Sequence, residues 1–111
     1  YNLGEVQFLQ GDYAGARETF RQIRQTDPRN ELVRFKEMLC LLKLGEEEEV
    51  QRIVRTFRVG SSTPAWYYTQ AILARRDGDR AREARHLTAA RRIYGEEGCN
   101  LFDQSIERIP F

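Results

Sequence analysis

The chain has 111 residues, with 41% hydrophobic and 32% charged side chains. That suits one folded domain with an apolar core and excludes a disordered tail. Eighteen Lys and Arg against seventeen Asp and Glu leave a net charge of +1, far from the balance of a nucleic-acid-binding tail. The longest apolar run, Met38-Leu39-Cys40-Leu41-Leu42, has five residues, where a membrane-spanning helix needs about 20, so no span is expected.

The charge is uneven. Residues 1–50 carry ten acidic and seven basic side chains, a balance of −3; residues 51–111 carry seven and eleven, a balance of +4. A mild dipole along the chain follows. Cys40 and Cys99 are the only cysteines. Their separation makes neither a metal spacing nor a disulfide framework, so both are expected to be free and structural. The chain starts at Tyr1 and not at Met, so it reads as a piece of a longer protein. Its compartment, cytoplasmic or periplasmic, stays open.

Seven helical segments are expected. The first runs from about Tyr1 to Gln10, with Leu3, Val6 and Leu9 on one side, and ends at Gly11. Asp12 caps the second, which carries Ala16, Phe20 and Ile23 at spacings of four and three. Thr26-Asp27-Pro28 closes it. Asn30 caps the third. Its Leu32, Phe35, Met38, Leu39, Leu41, Leu42 and Leu44 go nearly all round, which demands burial on more than one side. Gly45 ends it, and Glu46–Glu49 open the fourth at the positive end of the helix dipole. Val50, Val54 and Phe57 then repeat the Ala16, Phe20, Ile23 pattern. Val59-Gly60-Ser61-Ser62 reads as a linker. Thr63 is expected to cap the fifth helix, with Pro64 as its first residue and Tyr67, Ala71 and Ala74 along it. After Gly78-Asp79 the sixth helix is expected to turn Ala81, Ala84, Leu87 and Ala90 inward. Gly95 and Gly98 break the chain. A last helix, about 100–109, has Phe102, Ile106 and Ile109 on one stripe.

Gly11 and Gly45 lie 34 residues apart, and so do Ala16, Val50 and Ala84. Gly78 is one short of that period, which reads as one extra residue in its turn. A period of this length on helices marks a solenoid of helix pairs. The expected fold is all-α: about three helix pairs over residues 1–30, 31–62 and 63–95, closed by the last helix as a cap, in a single domain 1–111.

Leu3, Gly4, Gly11, Tyr13, Ala16, Phe20 and Pro28 resemble the tetratricopeptide repeat, a family with those residue types at those offsets. The second repeat keeps Gly45, Val50 and Val54 but has Glu37-Met38 in place of Leu-Gly. The third keeps Tyr67, Ala71, Gly78 and Ala84, with Thr88 at the Phe position. The tail Asn100-Leu101-Phe102-Asp103 resembles the closing segment of some bacterial proteins of this type. The resemblance implies a right-handed α-α superhelix that acts as a protein–protein interaction scaffold. Small residues at Gly4, Ala16, Ala71 and Ala84 would let the helices cross closely.

The resemblance also implies a concave groove lined by the first helix of each pair. It would show Glu5, Phe8 and Leu9, then Leu32, Phe35, Leu39, Leu42 and Lys43, then Ala65, Tyr68, Ile72, Arg75 and Arg76. Such a groove takes a peptide or an amphipathic helix. Phe35, Leu39 and Ile72 read more simply as core of a tightly wound short solenoid. Some relatives hold a peptide carboxylate with Lys and Asn; the corresponding Tyr1, Glu5, Phe35 and Leu39 leave that clamp absent. Of Trp66-Tyr67-Tyr68, Tyr67 falls at the family's core position, and Tyr68 would point to the groove.

Two other readings compete. Arg75, Arg76, Arg80, Arg82, Arg85, Arg91 and Arg92 could contact phosphates. Asp77, Asp79 and Glu83 among them favour a solvated face, so a nucleic-acid partner is disfavoured. Open repeat ends could stack copies into a homo-oligomer. Catalysis has no support: His86 is the only histidine, no base neighbours either cysteine and no glycine-rich phosphate loop occurs. No enzyme activity, cofactor or metal site is expected.

Overall fold

Three turns are built alike. At each, a helix ends in a glycine with positive φ: Gly11 at 80°, Gly45 at 75° and Gly78 at 78°. The amide of the following residue donates to a carbonyl five residues back: Asp12 to Gln7 at 2.9 Å, Glu46 to Leu41 at 3.0 Å and Asp79 to Ala74 at 2.9 Å. This closing pattern satisfies carbonyls left over at a helix end, and it needs a left-handed residue that only glycine adopts cheaply. The next helix starts at once. Asp12 and Asp79 each accept a backbone N–H three residues on, from Gly15 and Arg82 at 3.0 Å. Glu46 caps without a side-chain bond.

The computed structural model describes residues 2–111, with side chains from Leu3. Tyr1, the expected start of the first helix and one of the four clamp positions, lies outside the described residues. The chain is all-α: α1 (Asn2–Leu9), α2 (Tyr13–Thr26), α3 (Glu31–Leu44), α4 (Glu47–Val54), α5 (Ala65–Arg76) and α6 (Arg80–Glu107). No strand occurs among the described residues. Two compact units form, Tyr1–Thr56 and Phe57–Phe111.

In the first unit each helix packs on its neighbours in the chain: α1 on α2, α2 on α3, α3 on α4. Phe20, fully buried, lies against Gly4 so closely that a Cβ on Gly4 would fall 2.7 Å from the ring. Met38, Leu39, Cys40 and Leu41 are all fully buried, in keeping with apolar residues all round α3. Burial and the nearby Glu37 carboxylate push the Cys40 thiol up to about 12. On α1 the inward residues are Gly4 and Phe8, whereas Leu3, Val6 and Leu9 are 60%, 48% and 57% exposed. On α4 the structure buries Ile53 where Val54 was expected inside.

In the second unit α5 packs on α6. Pro64 precedes α5 instead of opening it, because its ψ of 17° is not helical. The Thr63 hydroxyl still accepts a first-turn N–H, from Ala65 at 3.3 Å. α6 joins the expected sixth and seventh helices. One residue inside it, Gly95, departs from helical angles, at φ 74° and ψ 171°, and divides α6 into arms 80–94 and 96–107. Gly98 breaks nothing and lies within the second arm. Phe102, Ile106 and Ile109 are each buried.

The turn at Gly78 contains no extra residue. Counted from the cap, Ala16 follows Asp12 by four, Val50 follows Glu46 by four, and Glu83 follows Asp79 by four, each amide donating to its cap carbonyl. Glu83, and not Ala84, therefore stands at the repeat position. Ala81 and Ala84 are exposed, Leu87 is half-buried and Ala90 is buried. The close crossing expected at Ala84 is replaced by an ion pair from Glu83 to Arg75 of α5, 2.7 Å long.

A methyl group at position 4 has no room. Gly4→Ala should lower stability by about 1–3 kcal/mol in chemical denaturation, with the slope unchanged.

Candidate functional site

In the first unit Glu5 of α1 pairs with Lys36 of α3. Phe8 is buried and meets Tyr13 edge-on, with ring centroids 5.5 Å apart. The Lys43 ammonium lies 5.8 Å from the same Tyr13 ring. Phe8 and Lys43 are thus brought to one aromatic ring. Phe35 and Leu39 are fully buried and present no surface. Leu42 is buried too, Leu32 half-buried and Leu9 exposed.

In the second unit Tyr68 is fully buried. Its hydroxyl donates to Asp103 Oδ1 at 2.6 Å, and its ring tilts against Phe102 at 5.4 Å. Burial and the Asp103 carboxylate raise the phenol above the ordinary tyrosine value. Ala65 and Ile72 are buried beside it in sequence. Arg75 donates through Nε to Glu83 of the first arm and through Nη1 to the Ile106 carbonyl of the second at 3.1 Å. Arg76 is exposed, with Nε 3.4 Å from Asp77. Tyr68 and Arg75 therefore meet the second arm of α6.

The aromatic assignments exchange places. Tyr68 is the core residue, and Tyr67 is half-buried against Tyr94 at 6.2 Å. Trp66 meets Tyr67 at 5.0 Å and His86 at 5.6 Å, both edge-on. The acidic residues among the arginines are engaged: Glu83 with Arg75, Asp77 with Arg76, and Asp79 with the Arg82 amide. Arg80, Arg85 and Arg92 stay exposed. A cleft of about 620 Å³ opens beside Arg75, Arg80, Glu83, Leu87 and Phe111.

Two polar contacts escaped the sequence. Glu37 is 2% exposed and accepts Arg24 Nε at 2.5 Å. Its signal was present, since Glu37 stands where the repeat has an apolar residue. Asp103 accepts from both Tyr68 and Arg91, the latter at 3.0 Å; nothing in its local sequence marks it. Among the described residues no group of His, Cys, Asp and Glu gathers as metal ligands would. No described helix is long and apolar enough to cross a membrane. Comparison with known protein families, with curated proteins and with solved structures gives no match.

Two outcomes follow. Arg24→Met leaves the Glu37 carboxylate buried without its cation and should cost about 1–3 kcal/mol, with Glu37→Met on the same background recovering much of it; equal and additive losses in denaturant melts would contradict the pairing. Burial, then Arg82 and Arg85, hold the His86 imidazole below its ordinary 6.5. The neutral ring is the favoured folded form, so its contribution is complete above 6.5 and is lost as pH falls through the lowered value. Trp66 is the only tryptophan, so its emission should titrate with a midpoint below 6.5, and His86→Phe should abolish that step.

Proposed function

We propose that this chain is a protein–protein interaction module of the tetratricopeptide type, a helical-repeat scaffold and not a catalyst. The observation that carries the reading is the turn repeated at Gly11, Gly45 and Gly78, with the same positive φ and the same five-residue hydrogen bond. A turn copied at nearly equal intervals generates stacked helix pairs, and such stacks serve as binding surfaces. Resemblance in the first repeat supports it, from Leu3-Gly4 to Pro28.

The ligand of this reading is a peptide or helix with both apolar and charged groups. Phe8, Phe35, Leu39, Tyr68 and Ile72 serve the core. Of the expected groove charges, Glu5 is paired with Lys36 and Arg75 is engaged by Glu83 and the Ile106 carbonyl, while Lys43 of the first unit is half-buried and Arg76 of the second is exposed. Leu3, Val6 and Leu9 of α1 add an apolar stripe beside them in sequence.

Affinity capture with the intact protein tests this. Leu3→Glu with Val6→Glu should leave the melting curve unchanged and remove most captured partner. Lys43→Glu with Arg76→Glu should weaken capture in a salt-dependent way. Capture that survives both pairs undiminished would sink the reading.

A further inference from the structure

The second arm of α6, residues 96–107, is held to the second unit by specific contacts. Tyr68 donates to Asp103, Arg91 donates to the same carboxylate, and Arg75 donates to the Ile106 carbonyl. Phe102 packs against the Tyr68 ring, and Ile106 is buried. Yet the arm is joined to the rest of α6 through a single non-helical residue, Gly95. Its φ of 74° and ψ of 171° belong to a region that is essentially restricted to glycine. A Cβ built on Gly95 would meet no atom within 4 Å. Backbone conformation alone, and no neighbouring atom, demands glycine there.

We infer that α6 is a swap hinge, and that the partner fitting the α5 face is the second arm of another copy of this chain. Rotation of Gly95 into helical angles makes 80–107 one straight helix. The second arm then leaves its own α5 and reaches the α5 of a second copy, while that copy's arm returns the exchange. Each first arm then lies beside the other copy's second arm, at the angle that the two arms of one chain make in the closed form. Every contact named above is re-formed between chains, so the contacts do not discriminate between the closed and exchanged forms. What discriminates is concentration and the hinge. The exchanged form replaces two positive-φ glycines by helical ones and closes with two-fold symmetry, which limits assembly to a dimer. This goes beyond stacking at open repeat ends, because each copy completes the other's core.

Gly95→Ala in the full chain is the direct test. It adds no clash, it opposes the closed backbone and it favours the helix. The penalty for holding alanine in that glycine-only region corresponds to about tenfold or more per hinge, so the dimer constant should tighten by about a hundredfold or more. Light scattering should show a dimer with helicity no lower than that of the parent. Arg91→Cys and Asp103→Cys, placed on separate Gly95→Ala chains and refolded together, should be joined across chains by a short bismaleimide. The parent with Gly95 intact, carrying both cysteines on one chain, should be joined within itself when dilute. A Gly95→Ala monomer, or a dimer without the cross-chain product, overturns the proposal. Should Gly95→Ala fail to fold, the single-cysteine variants with Gly95 intact, refolded together at high concentration, decide. A cross-chain product that disappears when two glycines are inserted after Gly95 supports the swap, and its absence before insertion ends it.

Discussion

The turn formed by a left-handed glycine and the capping residue after it sets the register of everything else. It stops one helix and starts the next within two residues, so the helices on either side fold back as neighbours. It also fixes which side chain of the new helix faces the old one, because the count begins at the cap. Seven residues before the three glycines stand Gly4, Met38 and Ala71; nine residues after them stand Phe20, Val54 and Leu87. The pairs read small with large, large with small, and small with medium. Gly4 and Phe20 are in contact. At the second turn Met38 stands in the glycine's place and is itself fully buried.

The third turn keeps the geometry but changes the chemistry that follows. Glu83 occupies the position of Ala16 and Val50, and a carboxylate there needs a cation. Arg75 supplies it and uses its other nitrogen on the Ile106 carbonyl. One guanidinium thereby ties α5 to both arms of α6. The fork of donors on arginine makes this double engagement natural; a lysine would offer one point charge. Tyr68 and Asp103 add a second tie a little further along. Residues that the repeat would assign to a groove are committed here to holding the chain's own last helix.

Helix positions were legible because caps and glycines are local. Asp12, Asn30, Gly45 and Asp79 act within three residues of themselves, and each appears where expected. Facing was less legible. On α1 the apolar letters Leu3, Val6 and Leu9 suggested an inner face, but the helix packs through Gly4, which has no side chain for a pattern to register, and through Phe8. At Ala84 a periodicity counted along the sequence gave one answer and the cap gave another; the cap decides, since hydrogen bonds and not residue totals set the phase of a helix. Tyr67 and Tyr68 were exchanged for a related reason. Tyr68 is claimed by Asp103, 35 residues away, and no local pattern announces a partner at that distance. Glu37 was visible as an anomaly, but its cation Arg24 sits on the preceding helix and looks in sequence like any surface arginine.

α1 and the second arm of α6 make an instructive contrast. The second arm of α6 carries Phe102 and Ile106, both buried, with Ile109 buried just beyond it. α1 carries Leu3, Val6 and Leu9, all about half exposed or more. Fully burying one such side chain is worth about 1.5–3 kcal/mol, so covering what is exposed of three would gain several kcal/mol before the cost of ordering a partner. A folded chain tolerates scattered apolar residues at its surface, but three at spacings of three on one short helix form a stripe and not a scatter. Polar neighbours confine it: Glu5 is tied to Lys36, and Gln7 accepts from the Thr19 hydroxyl at 2.7 Å. Those two contacts flank the stripe, and buried Gly4 and Phe8 lie on the far side of α1, so Leu3, Val6 and Leu9 form its exposed face. α1 and the second arm of α6 thus differ in kind: the one packs through Gly4 and Phe8 and leaves its other apolar residues exposed, and the other turns Phe102 and Ile106 inward.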